Sequence, residues 1–239
     1  MRRLLLGLAT LGFLAIGPAC EAAIGTVDMT WDGCTGPLDK TTTTPGYYSL
    51  FLTVIGQDQP TRAYDVRVLY GNAAQEVPDA WRFDADGCET SAGILQDDTS
   101  KECPAFGESA DSNFVIRIVR FSQPNSPYPQ TLMEILFAHS YGPGNAANPA
   151  TRYLLERIRF DLNAAVPGAG SATTCGGFEQ PMCFLLGYAK FLDLDHNEIP
   201  FNLSRTPLSV TFNGPVANCP GTVPARASTW GSIKSQYRQ

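Results

Sequence analysis

Histidine is nearly absent from this chain: only His139 and His196 occur in 239 residues. A serine or cysteine nucleophile needs a neighbouring base, so few such sites can be built here. No G-x-S-x-G elbow is present. "GPGN" and "GAGS" lack the spacing and the strand-to-helix context of a phosphate or dinucleotide loop. No C-x-x-C pair or Cys/His cluster points to structural zinc or a redox-active dithiol. Apolar runs are short; the one from Leu4 to Ile16 is too short to span a bilayer comfortably. Basic residues are outnumbered by acidic ones, 17 to 23, which argues against nucleic acid and anionic membrane surfaces as partners.

Carboxylates are not scarce, and glycoside hydrolysis needs only two of them. "WRFDADGCE" offers Asp84, Asp86 and Glu89, and "QDDTSKE" offers Asp97, Asp98 and Glu102. The simpler reading is a turn at Asp86 and Gly87 followed by a solvated loop. His139 ends an apolar strand, and Ser140 beside it must point to the opposite sheet face, which is poor geometry for a dyad.

The N-terminus has the three regions of a secretory signal: Arg2 and Arg3, the apolar run, then small residues. Cleavage after Ala22 is the reading adopted, with lipidation at Cys20 as its rival. The mature chain then has 15 basic and 22 acidic residues, a net charge of -7. Six cysteines remain: Cys34, Cys88, Cys103, Cys175, Cys183 and Cys219. An even number in an oxidising compartment reads as disulfides. The most local pairing joins Cys175 to Cys183 and Cys88 to Cys103, leaving Cys34 for Cys219.

Period-two alternation recurs along the chain. In "RAYDVRVLY", Tyr64, Val66, Val68 and Tyr70 share one face, with Asp65 and Arg67 on the other. Similar runs span 25–31, 47–55, 113–121, 131–139, 183–194 and 207–212, separated by Gly- and Pro-rich stretches. Residues 152–162 also fit a helix, but Leu154, Glu156, Ile158, Phe160 and Leu162 alternate with Arg157, Arg159 and Asp161, and we read a strand. The expected fold is all-β: a single sandwich of about nine strands over residues 23–227. It is preceded by a signal peptide, 1–22, and followed by a tail, 228–239. In that tail Trp230, Ile233 and Tyr237 form one stripe of a short C-terminal helix, which caps the sandwich or is recognised by an export or anchoring system.

Two stretches invite a ligand reading. "DLDHNEIPFNLS" places Asp193, Asp195 and Asn197 at the first three ligand positions of a calcium loop. It has Glu198 where glycine makes the turn and Ser204 in place of the last glutamate, so a hairpin is the simpler reading. Calcium, if bound, would need help from another loop, for which the acidic residues around Asp84 and Asp86 are the candidates. Trp31, Tyr47, Tyr48, Tyr70, Trp81, Tyr128 and Tyr141 could include a platform for sugar rings, although aromatics at strand spacing usually form core. Tyr128, between Pro127 and Pro129, is the best candidate for an exposed ligand-binding ring.

The order of motifs resembles the cohesin-like branch of β-sandwiches. "YYSLFLTVIG" and "AYDVRVLYGN" stand in the place of paired strands, then "LLERIRFDL", then "GYAKFLDLDHNEIPF" like a late hairpin with an acidic turn. The chain is also similar to a set of secreted bacterial proteins that begin with W-D-x-C, here Trp31 to Cys34, and end in T-W-G-x-I-K-x-x-Y-R, here Thr229 to Arg238. Neither resemblance supplies a catalytic residue. The cohesin likeness implies a non-enzymatic, protein-binding jelly-roll, and the cysteine framework departs from typical cohesins. The resulting expectation is a secreted, cell-surface or periplasmic module with a structural, adhesive or protein-binding role and no catalytic residues. A carbohydrate-binding module and a carboxylate-based hydrolase are its alternatives.

Overall fold

A computed structural model describes residues 25–56, 58–72, 76–89, 94–95, 102–107, 112–122, 131–145, 148–166, 174–199 and 209–214. The strands are β1 (Thr26–Trp31), β2 (Asp39–Lys40), β3 (Tyr47–Ile55), β4 (Thr61–Asn72), β5 (Ile94–Leu95), β6 (Ser112–Ser122), β7 (Thr131–Asn145), β8 (Tyr153–Asp161), β9 (Met182–Leu192), β10 (Glu198–Ile199) and β11 (Ser209–Phe212). One 3-10 turn, Asp79–Trp81, follows β4. All eight long runs expected from the alternation are strands. The additions β2, β5 and β10 are two residues each, too short to leave a periodic signal. The proposed tail helix with Trp230, Ile233 and Tyr237 lies outside the described residues, as do the signal segment, Cys219 and Tyr128. Among the described residues no helix is long and apolar enough to cross a membrane.

The strands form a small sheet, β1-β3-β8-β5, and a large one, β2-β11-β9-β4-β7-β6, with β10 hairpinned onto β9. All pairings are antiparallel except β2 on β11. Alternation dictates what lies between the sheets: Tyr64, Val66, Val68 and Tyr70 of β4 point inward and are at most 2% exposed. Aromatic rings interlock across the gap. Trp31 of the small sheet meets Phe184 and Phe212 of the large one at 5.1 and 5.4 Å between centroids, and Trp81 meets Phe160 and Phe212 at 5.0 and 4.7 Å. Such tilted and edge-to-face pairs add to the burial that stabilises the core.

One bulge alters the expected alternation in β8. Leu52 pairs with Glu156 and Thr53 with Leu154, so Leu155 is the extra residue. Leu155 joins the main core, whereas Leu154 packs with Phe51 and the Cys34–Cys103 disulfide in a small separate cluster. Leu154 therefore does not share a face with Glu156, as simple alternation predicted.

The local cysteine pairing is corrected. Cys34 bonds to Cys103, and Cys88 to Cys175. Cys183 is also disulfide-bonded, and all the other described cysteines are taken by these two bridges. The expected Cys175–Cys183, Cys88–Cys103 and Cys34–Cys219 pairs are thus not formed. Antiparallel stacking brings together segments 69 and 87 residues apart, and sequence proximity carries no information about that.

Candidate protein-binding face

The acidic turn is a hairpin between β9 and β10, with Leu192 opposite Glu198. Asp193 Oδ1 accepts the backbone N–H groups of Asp195 and Asn197 at 2.9 and 2.8 Å, and Oδ2 accepts the Asn197 amide at 3.1 Å. The Asn197 N–H chiefly, with these other donors, holds the Asp193 carboxyl below its ordinary value. His196 adopts the left-handed conformation that closes the turn, φ 65°. The carboxylate oriented by sequence toward a metal is thus spent on the loop's own backbone. Asp84, suggested as a helper ligand, is held by Arg82 through two bonds of 2.8 and 2.7 Å, and Arg82 Nη2 also lies 3.7 Å from Asp86. Burial works to raise the Asp84 carboxyl, but Arg82 overrides it and lowers it. Among the described residues no group of three or more His, Cys, Asp or Glu is placed to hold a metal ion.

Glu89 is 5% exposed; its Oε2 accepts the Asp161 N–H at 3.0 Å, and among the described residues Oε1 has no hydrogen-bond partner. Burial pushes its carboxyl up to about 8. A protonated buried acid suits a general acid, but an atom that solvent does not reach cannot protonate a substrate. Its consequence is for stability. The folded state keeps a proton that the unfolded chain releases near pH 4.5, so stability falls as pH rises from there to about 8. His139, lowered by burial to about 4, acts oppositely below pH 6.5. Of the two, only Glu89 contributes between pH 6.5 and about 8, a loss of up to about 2 kcal/mol. Urea unfolding at both pH values is expected to show this decline in the native chain and its abolition in Glu89→Gln. An equal slope in both would refute the assignment.

His139 sits inside the sandwich with its Nδ1 3.3 Å from the Tyr64 hydroxyl, which also lies 2.9 Å from Glu156 Oε1 and 3.1 Å from the Leu155 carbonyl. These three side chains are at most 6% exposed, so the trio is an internal polar tie between the sheets and no substrate reaches it. Sequence reasoning treated the members separately; the readable signal was Glu156 on an otherwise apolar strand face. Ser140 lies on the opposite, outer face. A cleft of about 310 Å³ opens beside β1, lined by Met29, Thr30, Cys34, Leu38 and the Asp28–Arg152 pair. Among the described residues that line it, Asp28 is the carboxylate, and it is bound to Arg152 at 2.7 Å.

The aromatic candidates divide. Trp31, Tyr70 and Trp81 are fully buried core residues. Tyr48 packs on Phe212. Tyr47 is 59% exposed, but the Arg159 guanidinium lies over its ring, 5.0 Å from the centroid.

The two outer sheet faces differ. On that of the small sheet Phe51 and Leu154 pack with the Cys34–Cys103 disulfide, and residues 104–106 pair edge-on with β8, the Phe106 N–H donating to the Leu154 carbonyl and the Leu154 N–H to that of Pro104. That of the large sheet presents three rows across β6, β7, β4 and β9. They are Val115–Ala138–Asp65–Lys190, Arg117–Leu136–Arg67–Tyr188 and Val119–Glu134–Leu69–Leu185. Each of these side chains is exposed or half-buried. Arg67 lies 3.4 Å from Glu134 and over the Tyr188 ring at 5.8 Å, and Lys190 pairs with Glu198 at 3.2 Å. Gly187 forms the bulge beneath this row, where a Cβ would come within 3.1 Å of Leu69. The surface is mixed: aliphatic side chains and one ring set among charges.

No protein-family model and no curated protein matches the chain. Among solved structures it is similar to a non-cellulosomal cohesin from the archaeon Archaeoglobus fulgidus, with 8% identity over 78% of this chain and 89% of that one, at a TM-score of 0.38. The cohesin of a type I cohesin–dockerin complex from Clostridium thermocellum shares 13% identity over 81% and 97% of the two chains, at 0.39. A type II cohesin domain from the cellulosome of Acetivibrio cellulolyticus shares 9% over 80% and 95%, at 0.38.

Proposed function

We propose that this chain is an exported, non-enzymatic β-sandwich module that binds another protein through the outer face of its large sheet. One observation carries the reading: the apolar side chains on the outer face of the small sheet, Phe51 and Leu154, are covered by the Cys34–Cys103 bridge, while the outer face of the large sheet displays apolar side chains interleaved with charges. A flat face of this composition suits a protein partner, whose own aliphatic groups and charges meet those rows. The disulfides support export, since such bonds persist in oxidising compartments. Burial of Trp31 and Trp81 removes two of the rings that a sugar platform would use.

The test is binding of the oxidised mature protein to purified surface and secreted proteins of the cell that produces it, beside a glycan panel. Leu136→Asp with Tyr188→Ala is expected to abolish a saturable protein interaction that Tyr47→Ala on the other sheet leaves intact. Retention by glycans that survives the double substitution, or hydrolysis lost on replacing one acidic pair, would overturn the proposal.

A further inference from the structure

Of the sheet edges, three are blunted. β2 and β5 are two residues long, and the Trp31 N–H at the edge of β1 is already taken by the Pro37 carbonyl at 2.8 Å. β6 is different: it has eleven residues, and among the described residues it pairs with β7 alone. A long, β-branched edge strand is a template for another strand, and proteins ordinarily protect such an edge.

We infer that β6 pairs antiparallel with the β6 of a second copy of this chain, about a two-fold axis at Arg117. The strand's own sequence argues for a copy as the occupant. Residues 115–119 read V-I-R-I-V in both directions, and Ser112 and Ser122 mirror each other at the ends. An isologous interface requires such self-complementarity, because residue i meets j while j meets i. Centred on Arg117, the pairing sets Val115 opposite the partner's Val119 on the open face. It covers Val115, which is 61% exposed and the most exposed of the large apolar side chains among the described residues. On the inner face Ile116 meets the partner's Ile118. Both are only partly buried against the core, and the copy would cover their open flanks. The mirror is broken at Arg120, which falls opposite the partner's Phe114 and keeps its pairs with Glu76 and Asp84 on its own chain. The two Arg117 side chains repel across the axis, and each mature chain is net acidic, so association strengthens with salt. One strand pair is a small interface, which makes the dimer concentration-dependent. This inference does not rest on the protein-binding reading above.

Sedimentation velocity of the oxidised mature protein, from micromolar to near-millimolar concentration, is expected to show a monomer–dimer equilibrium that salt favours. Val115→Lys should weaken it by about tenfold or more, with the fold verified by circular dichroism. Register is read by cysteine trapping: Arg117→Cys links to itself, Val115→Cys alone does not, and Val115→Cys mixed with Val119→Cys does. A native chain that stays monomeric throughout would overturn the inference, as would a dimer indifferent to Val115→Lys or cross-linking equal at positions 115 and 117. Loss of partner binding in the Leu136/Tyr188 variant with an unchanged dimer would separate the two proposals.

Discussion

Phe184→Ala is expected to lower the unfolding free energy by about 3–5 kcal/mol, the largest effect of any single substitution considered for this chain. Phe184 is fully buried on β9 and touches rings from both sheets. Tyr70 stacks on it at 5.0 Å, Trp31 meets it edge-on at 5.1 Å, and Phe160 and Trp81 lie at 5.6 and 5.8 Å. Truncation removes the transfer energy of the ring and leaves a void that rigid neighbours cannot fill, because indoles and phenyls held by both sheets have little freedom to collapse. Tyr188→Ala, on the other face of the same strand, provides the comparison and should cost about 1 kcal/mol or less. Urea denaturation of both variants decides it. Equal costs would mean that the aromatic cluster is not the organising core.

The second large effect concerns the long-range bridge. Replacing Cys88 and Cys175 together by alanine is expected to cost up to about 4–5 kcal/mol, from the entropy of closing so long a loop in the unfolded chain. The bridge spans 87 residues and joins the segment after the Asp79–Trp81 turn to the one before β9. A pair as close as Cys175 and Cys183 would, by itself, constrain the unfolded chain less, and the connectivity is read directly from the peptides. Non-reducing peptide mapping should find Cys34 linked to Cys103 and Cys88 to Cys175. A Cys88–Cys103 peptide would contradict the fold described here.

Strand positions were legible because one-sided burial forces period two, and β4 shows it in full: aromatic and valine side chains inward, Asp65 and Arg67 outward. The acidic turn was legible for the same kind of local reason. Asp193, Asp195 and Asn197 lie within a few residues of one another, and a short polar side chain caps the backbone beside it. The candidate face was not legible. Its rows combine residues from four strands whose order, β6-β7-β4-β9, is not their order in the chain, and alternation says which residues point outward without saying which strands lie side by side. Nor does it say which outward apolar side chains stay exposed, since the Cys34–Cys103 bridge covers Phe51 and Leu154 on one face. The Tyr64–His139–Glu156 contact failed to show for a related reason, as it joins three strands across the gap between the sheets.

By itself, then, the sequence determined the all-β class, the position of every long strand among the described residues and the inward face of most of them. It also determined the hairpin at 193–199 and the scarcity of groups for nucleophilic catalysis. These are set by interactions within a few residues, and their signals are periodic or local. Tertiary structure alone decided the disulfide partners, the bulge that turns Leu154 away from the core, the burial of Glu89 and the contrast between the two outer faces. Each depends on contacts between segments far apart in the chain, where strand order and sheet stacking set the distances.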